Sequence, residues 1–242
     1  MNTPSELTVV IPAKNEEILL SRLLESLRRQ DYPFMSRTKI FLADAGSTDR
    51  TVEIALGFRS ELNIEIIKGG LPAVGRNNGA RHTRSRYLLF VDADIEIAES
   101  TLVRRAVDLM IREKLHCITT DILCKEGRFM DRLLFAMNSA AQRLSRFHKP
   151  FATGMFMMVD KERFDQIGGF DEQALYAEDY QFTQQITRER FRIIRGGVYS
   201  TNRRFVKMGR GKIIRSFLST AMNHRHLEYF RNKAHLQYWE PY

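Results

Sequence analysis

Tyr87-Leu88-Leu89-Phe90-Val91-Asp92-Ala93-Asp94 runs five apolar residues straight into two carboxylates one residue apart. A short apolar run of this kind suits a buried strand. Acids directly after it bring negative charge to the edge of a sheet. Carboxylate oxygens suit Mg²⁺ or Mn²⁺, and one or two carboxylates plus substrate phosphates form a usual Mg²⁺ site. Asp92 and Asp94 are therefore candidate metal ligands. The alternative is an Asx-type turn, because Asp is common in turns.

Outward from this run, strands and amphipathic helices alternate. Residues 7–11 are an apolar strand ended by Pro12. Residues 16–29 carry Ile18, Leu19, Leu20, Leu23, Leu24 and Leu27 at helical spacing. Residues 39–43, 63–67 and 116–120 read as further strands beside 86–91, and residues 47–58, 72–83 and 100–113 as helices between them. This alternation predicts an α/β fold, with a mostly parallel central sheet flanked by helices. Ligands of such sheets lie beyond the carboxyl ends of the strands. The segments there are 12–15, 44–49, Gly69-Gly70 and 92–94, and they are the polar and Gly-rich ones.

The second half is less regular. Residues 128–147 form a long helical pattern with Phe129, Leu133, Leu134, Met137, Ala140, Ala141, Leu144 and Phe147 along one side. Residues 151–159 read as a strand, 178–189 as a helix, and 191–195 and 198–201 as short strands joined at Gly196-Gly197. From Gly209 the chain reads as a basic helical tail. There are no repeats and no low-complexity linker.

With 242 residues, 43% of them apolar, the chain can bury one substantial core. Its 38 Lys and Arg against 29 Asp and Glu give a formal charge of +9, which favours an anionic partner: a nucleotide, a nucleic acid or an acidic membrane surface. Cys117 and Cys124 are the only cysteines, expected as free thiols in a reducing compartment. No positive region followed by an apolar one precedes the first strand, and no run of about 18 apolar residues occurs. A cytoplasmic protein is expected, with a peripheral position on the inner face of the membrane left open.

Three further motifs carry chemistry. In Asp44-Ala45-Gly46-Ser47-Thr48-Asp49-Arg50-Thr51, Gly46 permits a tight turn, Ser47 suits a helix N-cap, and Asp49 falls in the first helical turn. Asp44 is not explained by capping; at a strand tip its carboxylate can accept the N–H of a nucleobase. In Gly75-Arg76-Asn77-Asn78-Gly79-Ala80-Arg81, small residues let a helix lie close to the sheet or a ligand. Arg76 can pair with phosphate through a planar fork, and an exposed surface arginine is the alternative, preferred for Arg81 and Arg84. Glu178-Asp179 opens a helix after Gly168-Gly169-Phe170-Asp171-Glu172. Acids there favour the helix dipole, and one of them could act as general base if the preceding loop lines a cleft.

Val10-Ile11-Pro12-Ala13-Lys14-Asn15-Glu16-Glu17, the segments 44–51 and 75–81, Asp92-Ala93-Asp94, Gly168-Gly169-Phe170-Asp171-Glu172 and Glu178-Asp179 occur in the order that resembles the family 2 glycosyltransferases of the GT-A fold. The resemblance runs from about residue 7 to about residue 205. It implies a Rossmann-like domain over 1–205 with a basic helical tail over 206–242. It also implies non-processive, inverting transfer of a sugar from a nucleoside diphosphate donor, UDP- or GDP-linked, to the hydroxyl of a sugar, a lipid-linked or a small-molecule acceptor.

By the same resemblance Pro12, Ala13, Glu16, Asp44, Arg76 and Asp92 surround the donor nucleotide. Asp94, with Asp92, holds Mg²⁺ or Mn²⁺ against the diphosphate. Asp179 is the general base, and Gly169, Phe170, Asp171 and Glu178 shape the acceptor side. A nucleotidyltransferase and a non-catalytic nucleotide-sugar binder are the alternatives. No nucleic acid is expected, since no nucleic-acid motif accompanies the charge.

The chain departs from the family pattern in places. Ala45 stands where the family usually has a second Asp. The Gln-x-x-Arg-Trp element of processive synthases is absent. Thr201-Asn202-Arg203-Arg204-Phe205 resembles an element of some small members, and its arginines either approach the diphosphate or form a solvated turn. His224 and His226 are weighed as an extra metal ligand against surface histidines. The aromatic and basic tail has three expected resting places: its own domain, a second subunit in a homodimer, or an anionic membrane.

Overall fold

The computed structural model describes residues 6–223 and 226–239. The chain begins β1 (Leu7–Ala13), α1 (Leu20–Arg28), β2 (Lys39–Asp44), α2 (Thr51–Gly57), β3 (Ile64–Lys68), α3 (Pro72–Arg81), β4 (Tyr87–Val91). It continues with β5 (Glu96–Ile97), α4 (Leu102–Glu113), β6 (Cys117–Cys124), α5 (Phe129–Ser145), β7 (Phe156–Asp160), α6 (Lys161–Ile167) and α7 (Glu178–Thr183). Then come β8 (Phe191–Ser200), α8 (Arg203–Met208), α9 (Arg210–Met222) and α10 (Leu227–Phe230), followed by a 3-10 helix over Lys233–Trp239.

The strands form one sheet in the order β3-β2-β1-β4-β7-β6-β8-β5. The run β3-β2-β1-β4 is parallel throughout, and β7 adds antiparallel to β4. Parallel pairing with both faces covered explains why β4 is buried at all five positions. Strand order reverses between β1 and β4, a topological switch point where a crevice opens beyond the strand ends. Parallel register lines those ends up: Ala13 lies opposite Asp44, and Asp44 opposite Lys68.

Helix α3 seats directly on this half. A Cβ at Gly79 would strike the Val10 side chain, so the small residues allow the close approach their spacing predicts. On the same face, Phe90, Phe164, Phe170 and Phe182 form a buried cluster with ring centroids 5.0–5.4 Å apart. Such pairs add about 0.5–1.5 kcal/mol each beyond area burial. Phe170 thereby anchors the Gly-Gly-Phe-Asp-Glu loop to the core.

Some local expectations are corrected. Helix α2 starts at Thr51 rather than Ser47, and Ser47 caps nothing. Its hydroxyl instead donates to Asp44 and accepts the Asn15 N–H, while Asp49 accepts the Thr51 N–H two residues ahead. The helix expected over 178–189 ends at Thr183. The two short strands expected around Gly196-Gly197 are one strand, β8, whose register against β6 shifts at that point while Gly196 adopts φ +128°. Cys117 and Cys124 are both free, and burial pushes both thiols up.

Helix α5 is oriented against its own pattern. An apolar side ordinarily faces the core, yet the buried residues are Asp131, Phe135, Ser139 and Gln142, and Phe129 is 78% exposed. Polar partners decide this. Asp131 pairs with Arg210 at 2.7 Å and accepts from Asn202 at 3.1 Å. Ser139 accepts the Ile122 N–H at 3.0 Å, where β6 is irregular. Arg210, ahead of the remaining contacts, holds the Asp131 carboxyl down at about 2.

Candidate active site

The loops after β1 and β2 are laced together by side chains that neither loop's own sequence announces. Asn15 adopts φ 54°, a left-handed conformation that Asn tolerates better than most residues. There its side chain accepts the Thr48 N–H at 2.9 Å. The Glu16 N–H reaches the Thr51 hydroxyl at 2.7 Å, and the Glu17 N–H reaches Asp49 at 3.1 Å. Asp44 sits below this lattice. Its carboxylate accepts from the Gly46 N–H, the Ser47 N–H and the Ser47 hydroxyl, the last at 2.5 Å.

These loops wall a cavity of about 580 Å³ at the switch point, large enough for a nucleotide-sized ligand. Pro12, Ala13 and Glu16 line it with Asp92 and Asp94, and so do Arg203 and Arg204 from α8. Asp44 does not line it directly; its neighbours Ala45 and Thr48 do. Alternating burial after β4 explains the acids: Ala93 and Ile95 are buried, whereas Asp92 and Asp94 are half-buried toward the cavity.

The cavity holds more acid than base. Glu16, Glu17, Asp49, Asp92 and Asp94 face Lys14, Arg203 and Arg204. Arg203 spans the acids, 2.7 Å from Glu16 and 3.4 Å from Asp94. Burial, then the Asp94 charge, nevertheless push Glu16 up to about 7. This donor set fits a hard dication: oxygen ligands, a negative surplus, and one or two carboxylates that leave positions for phosphate. Among the described residues no three or more His, Cys, Asp and Glu form a complete protein cage for a metal.

A pH dependence follows from Glu16. The folded protein binds its proton more tightly than the unfolded chain. This contribution to stability is therefore full below the ordinary carboxylate range and is lost as the pH rises through about 7. Glu16→Gln is expected to reduce the loss of stability between about pH 5 and pH 8 by roughly 2–3 kcal/mol. Melting curves recorded in a chelator check this, and a slope equal to that of the parent would contradict it.

Behind Asp92 lies a second, smaller cavity of about 110 Å³, lined by Glu178, Asp179, Tyr176, Phe151 and Phe217. Asp92 and Arg204 line both cavities and form the partition between them. Arg76, only 2% exposed, organises this region. It pairs with Asp92 at 2.6 Å and with Glu178 by a short contact, and it lies over the Phe170 ring. A Cβ at Gly154 would run into its guanidinium.

Burial works against the charge of Arg76, but Asp92, Glu178 and Asp179 outweigh it and hold its proton more firmly than usual. Burial raises Glu178 above the ordinary carboxylate range against the pull of Arg76. It also raises Asp179, although Arg76 and the backbone N–H groups of Gly154, at 2.6 Å, and Tyr180, at 2.7 Å, favour the ionised form. Asp179 is thus a cavity-lining carboxylate with raised proton affinity, as a base near neutral pH requires. The residue before the pair, Ala177, is held at φ 54°, ψ 36°, a strained conformation of the kind found at functional sites.

The Gly-Gly-Phe-Asp-Glu loop approaches this region from behind. Asn77 of α3 donates to the Phe170 carbonyl and to Glu172 and accepts the Phe170 N–H. Gly169 at φ +76° permits the turn, and a Cβ there would lie 2.7 Å from the Asn77 side-chain oxygen. Asp171 turns outward to Arg231 at 2.9 Å. Of the residues expected on the acceptor side, Glu178 lines the second cavity, while Gly169, Phe170 and Asp171 support it. Arg76 lines the second cavity with Asp92 rather than the larger first one. His226 is exposed, and His224 lies outside the described residues.

The sequence model described as glycosyl transferase family 2 matches residues 8–168, most of the described sheet and both loops of the larger cavity. The chain belongs to glycosyl transferase family 2. Over 99 residues, 39% of the chain and 17% of the relative, it is 32% identical to the poly(ribitol-phosphate) beta-N-acetylglucosaminyltransferase TarS of Staphylococcus aureus. Over 117 residues, 46% of the chain and 30% of the relative, it is 32% identical to the 4,4'-diaponeurosporenoate glycosyltransferase of Staphylococcus haemolyticus. A PGL/p-HBAD biosynthesis glycosyltransferase of Mycobacterium bovis is 29% identical over 151 residues, 57% of each chain.

The chain thus spans between 17% and 57% of these family 2 relatives. Among solved structures, S. aureus TarS in complex with UDP-GlcNAc superposes with a TM-score of 0.64 at 22% identity, covering 81% of this chain and 58% of that one. The mannosyltransferase PcManGT of Pyrobaculum calidifontis, in complex with GDP-Man and Mn²⁺, gives 0.61 at 20% identity, covering 81% and 57%. These likenesses establish the expected fold, a mixed α/β GT-A sheet with a helical C-terminal region.

Proposed function

We propose that this chain transfers a sugar from a UDP- or GDP-linked donor to an acceptor hydroxyl, with inversion, without processivity, and with the help of Mg²⁺ or Mn²⁺. The observation that carries the reading is the partition. A nucleotide-sized acidic cavity and a smaller cavity with a raised carboxylate meet at Asp92 and Arg204. Donors of this kind, UDP-GlcNAc and GDP-Man, occupy the named complexes of the structural neighbours.

In this reading Pro12, Ala13 and the loop at Ala45 flank the nucleoside. Asp44 acts beneath the wall, where its carboxylate fixes the Gly46-Ser47 turn and with it Ala45 and Thr48, which line the cavity beside the base. Asp94, with Asp92, would hold the dication, which when bound would supply Lewis-acid stabilisation to the leaving diphosphate. Arg203 and Arg204 add fixed positive charge on the same side. Arg76 is buried too deeply to meet the donor; it acts as a positioning residue, setting Asp92 on one side and Glu178 on the other. Asp179 takes the acceptor proton as the hydroxyl attacks the face of the sugar opposite the diphosphate, and this geometry inverts the anomeric centre.

Residues 1–205 serve as the catalytic domain. Residues 206–242 are read as a tail, and its described part is tied to the same unit by the Leu175 N–H bonded to the Phe230 carbonyl and by Tyr176 stacked on His235. No described helix is long and apolar enough to cross a membrane.

Proton NMR of UDP- and GDP-sugars incubated with the protein and Mn²⁺ tests the reading. Slow transfer to water is expected to release first the sugar anomer opposite to that of the donor. Release of the same anomer first would contradict inversion, and intact donors throughout would count against catalysis.

A further inference from the structure

We infer that the α5–α9 face is a docking surface for an anionic lipid bilayer, with the Asp179 cavity opening at its edge. Helix α5 turns its apolar side outward: Phe129, Met130, Leu133, Met137 and Leu144 are between 40% and 78% exposed. Helix α9 does the same with Ile214, Phe217, Leu218 and Met222. The two helices adjoin, and their exposed stripes flank the mouth of one cavity. Arg210, the first residue of α9, pairs with Asp131 of α5, the Phe205 ring of α8 packs edge-on against Phe135 of α5, and Asn138 and Phe217 line the same cavity. Contiguous exposed apolar surface of more than a few hundred Å² marks contact sites rather than ordinary surface.

Charge selects the partner. Residues 127–150 and 202–223 contain eleven Lys and Arg and a single acid, the buried Asp131; Arg203 and Arg204 turn into the larger cavity and Arg210 pairs with Asp131, which leaves eight on segments that hold no other acid. The rest of the chain, with 27 Lys and Arg against 28 Asp and Glu, is neutral, so these two segments account for the whole surplus of +9. A second copy of so basic a face would bring like charge against like charge. An anionic headgroup layer offers the complementary charge together with an apolar interior for the Phe, Leu and Met side chains. Because Phe217 belongs both to the face and to the Asp179 cavity, the docked protein would present Asp179 to a hydroxyl carried at the lipid surface. That last step rests on the function proposed above; the docking does not.

Co-sedimentation of the full chain with vesicles tests it. One set contains about 30% phosphatidylglycerol in phosphatidylcholine, and the other is phosphatidylcholine alone. Binding is expected to the first set, at least about tenfold weaker to the second, and weakened by salt. The variant Leu133→Ser/Met137→Ser/Leu144→Ser changes exposed positions only. It is expected to keep the parental melting temperature and to lose at least about tenfold in vesicle affinity. Absence of binding to anionic vesicles, equal binding to neutral ones, or undiminished binding by the folded variant overturns the inference. A dimer in sedimentation velocity that the variant dissolves, with vesicles unbound, assigns the face to a second copy and overturns it as well. The readout requires no catalysis, so failure of the transferase reading and failure of docking are told apart.

Discussion

Asp179→Asn is expected to lower turnover at least about 10³-fold while leaving the dissociation constant of the nucleotide-sugar within about twofold. The asymmetry comes from the geometry. Asp179 lines the smaller cavity and not the larger one, so the amide removes a proton acceptor without touching donor contacts. Asn is close in size, but the Gly154 and Tyr180 N–H groups reach different Asp179 oxygens, so the amide oxygen keeps one of them and the amide NH2 faces the other. A melting curve of the variant, recorded beside the rates, separates lost turnover from lost fold. Initial rates combined with donor titration check the prediction. Normal turnover would acquit Asp179 as the base, and lost donor affinity would move it to the donor side.

The largest expected effect on stability belongs to Arg76→Met. Removing one member of a buried ion pair strands its partners, at a typical cost of about 3–5 kcal/mol. Here Glu178 is buried and Asp92 half-buried, and both depend on the one guanidinium. Stranded Glu178, already raised by burial, should take up a proton in the folded state, so the loss is expected to be larger near pH 8 than near pH 5. Arg76→Lys keeps a charge but not the fork that reaches Asp92 and Glu178 together, and it should fall between. Denaturant titrations at the two pH values measure this; a loss independent of pH would mean that the carboxylates are not what Arg76 stabilises.

The parallel half of the fold was legible because each strand is a short apolar run with turn residues just beyond it: Asn15 after β1, which runs through Pro12 to Ala13 rather than ending at Pro12, Gly46 after β2, Gly69 after β3 and Asp92 after β4. Local pattern carries that information. Helix α5 was not legible in the same way. Its apolar side is the exposed one because Asp131 and Ser139 find partners in Arg210, Asn202 and Ile122, and no periodicity records a partner 79 residues away. The capping of α2 was misplaced for a related reason, since Ser47 answers to Asn15 in another loop.

The site divides along the same line. Motif order brought Asp92, Asp94, Glu16 and Asp179 into view as separate candidates. Their arrangement depends on Arg76 meeting Glu178 across 102 positions and on Arg203 meeting Glu16 across 187. The sequence already contained Arg203 and Arg204, in a basic turn whose only distinction was its likeness to a family element. Asn15, Thr48 and Thr51, which lace the two loops, carried no signal beyond being good turn residues.

Calorimetric titration with UDP-GlcNAc, UDP-glucose and GDP-mannose in Mn²⁺ tests the central claim, that the cavity at Asp94 is the donor site of a nucleotide-sugar enzyme. At least one donor is expected to bind at one site per chain with a dissociation constant between about 1 μM and 1 mM, retained in Asp179→Asn and lost in Asp94→Ala. Absence of binding by every UDP- and GDP-sugar, or binding that survives Asp94→Ala with and without Mn²⁺, would contradict it.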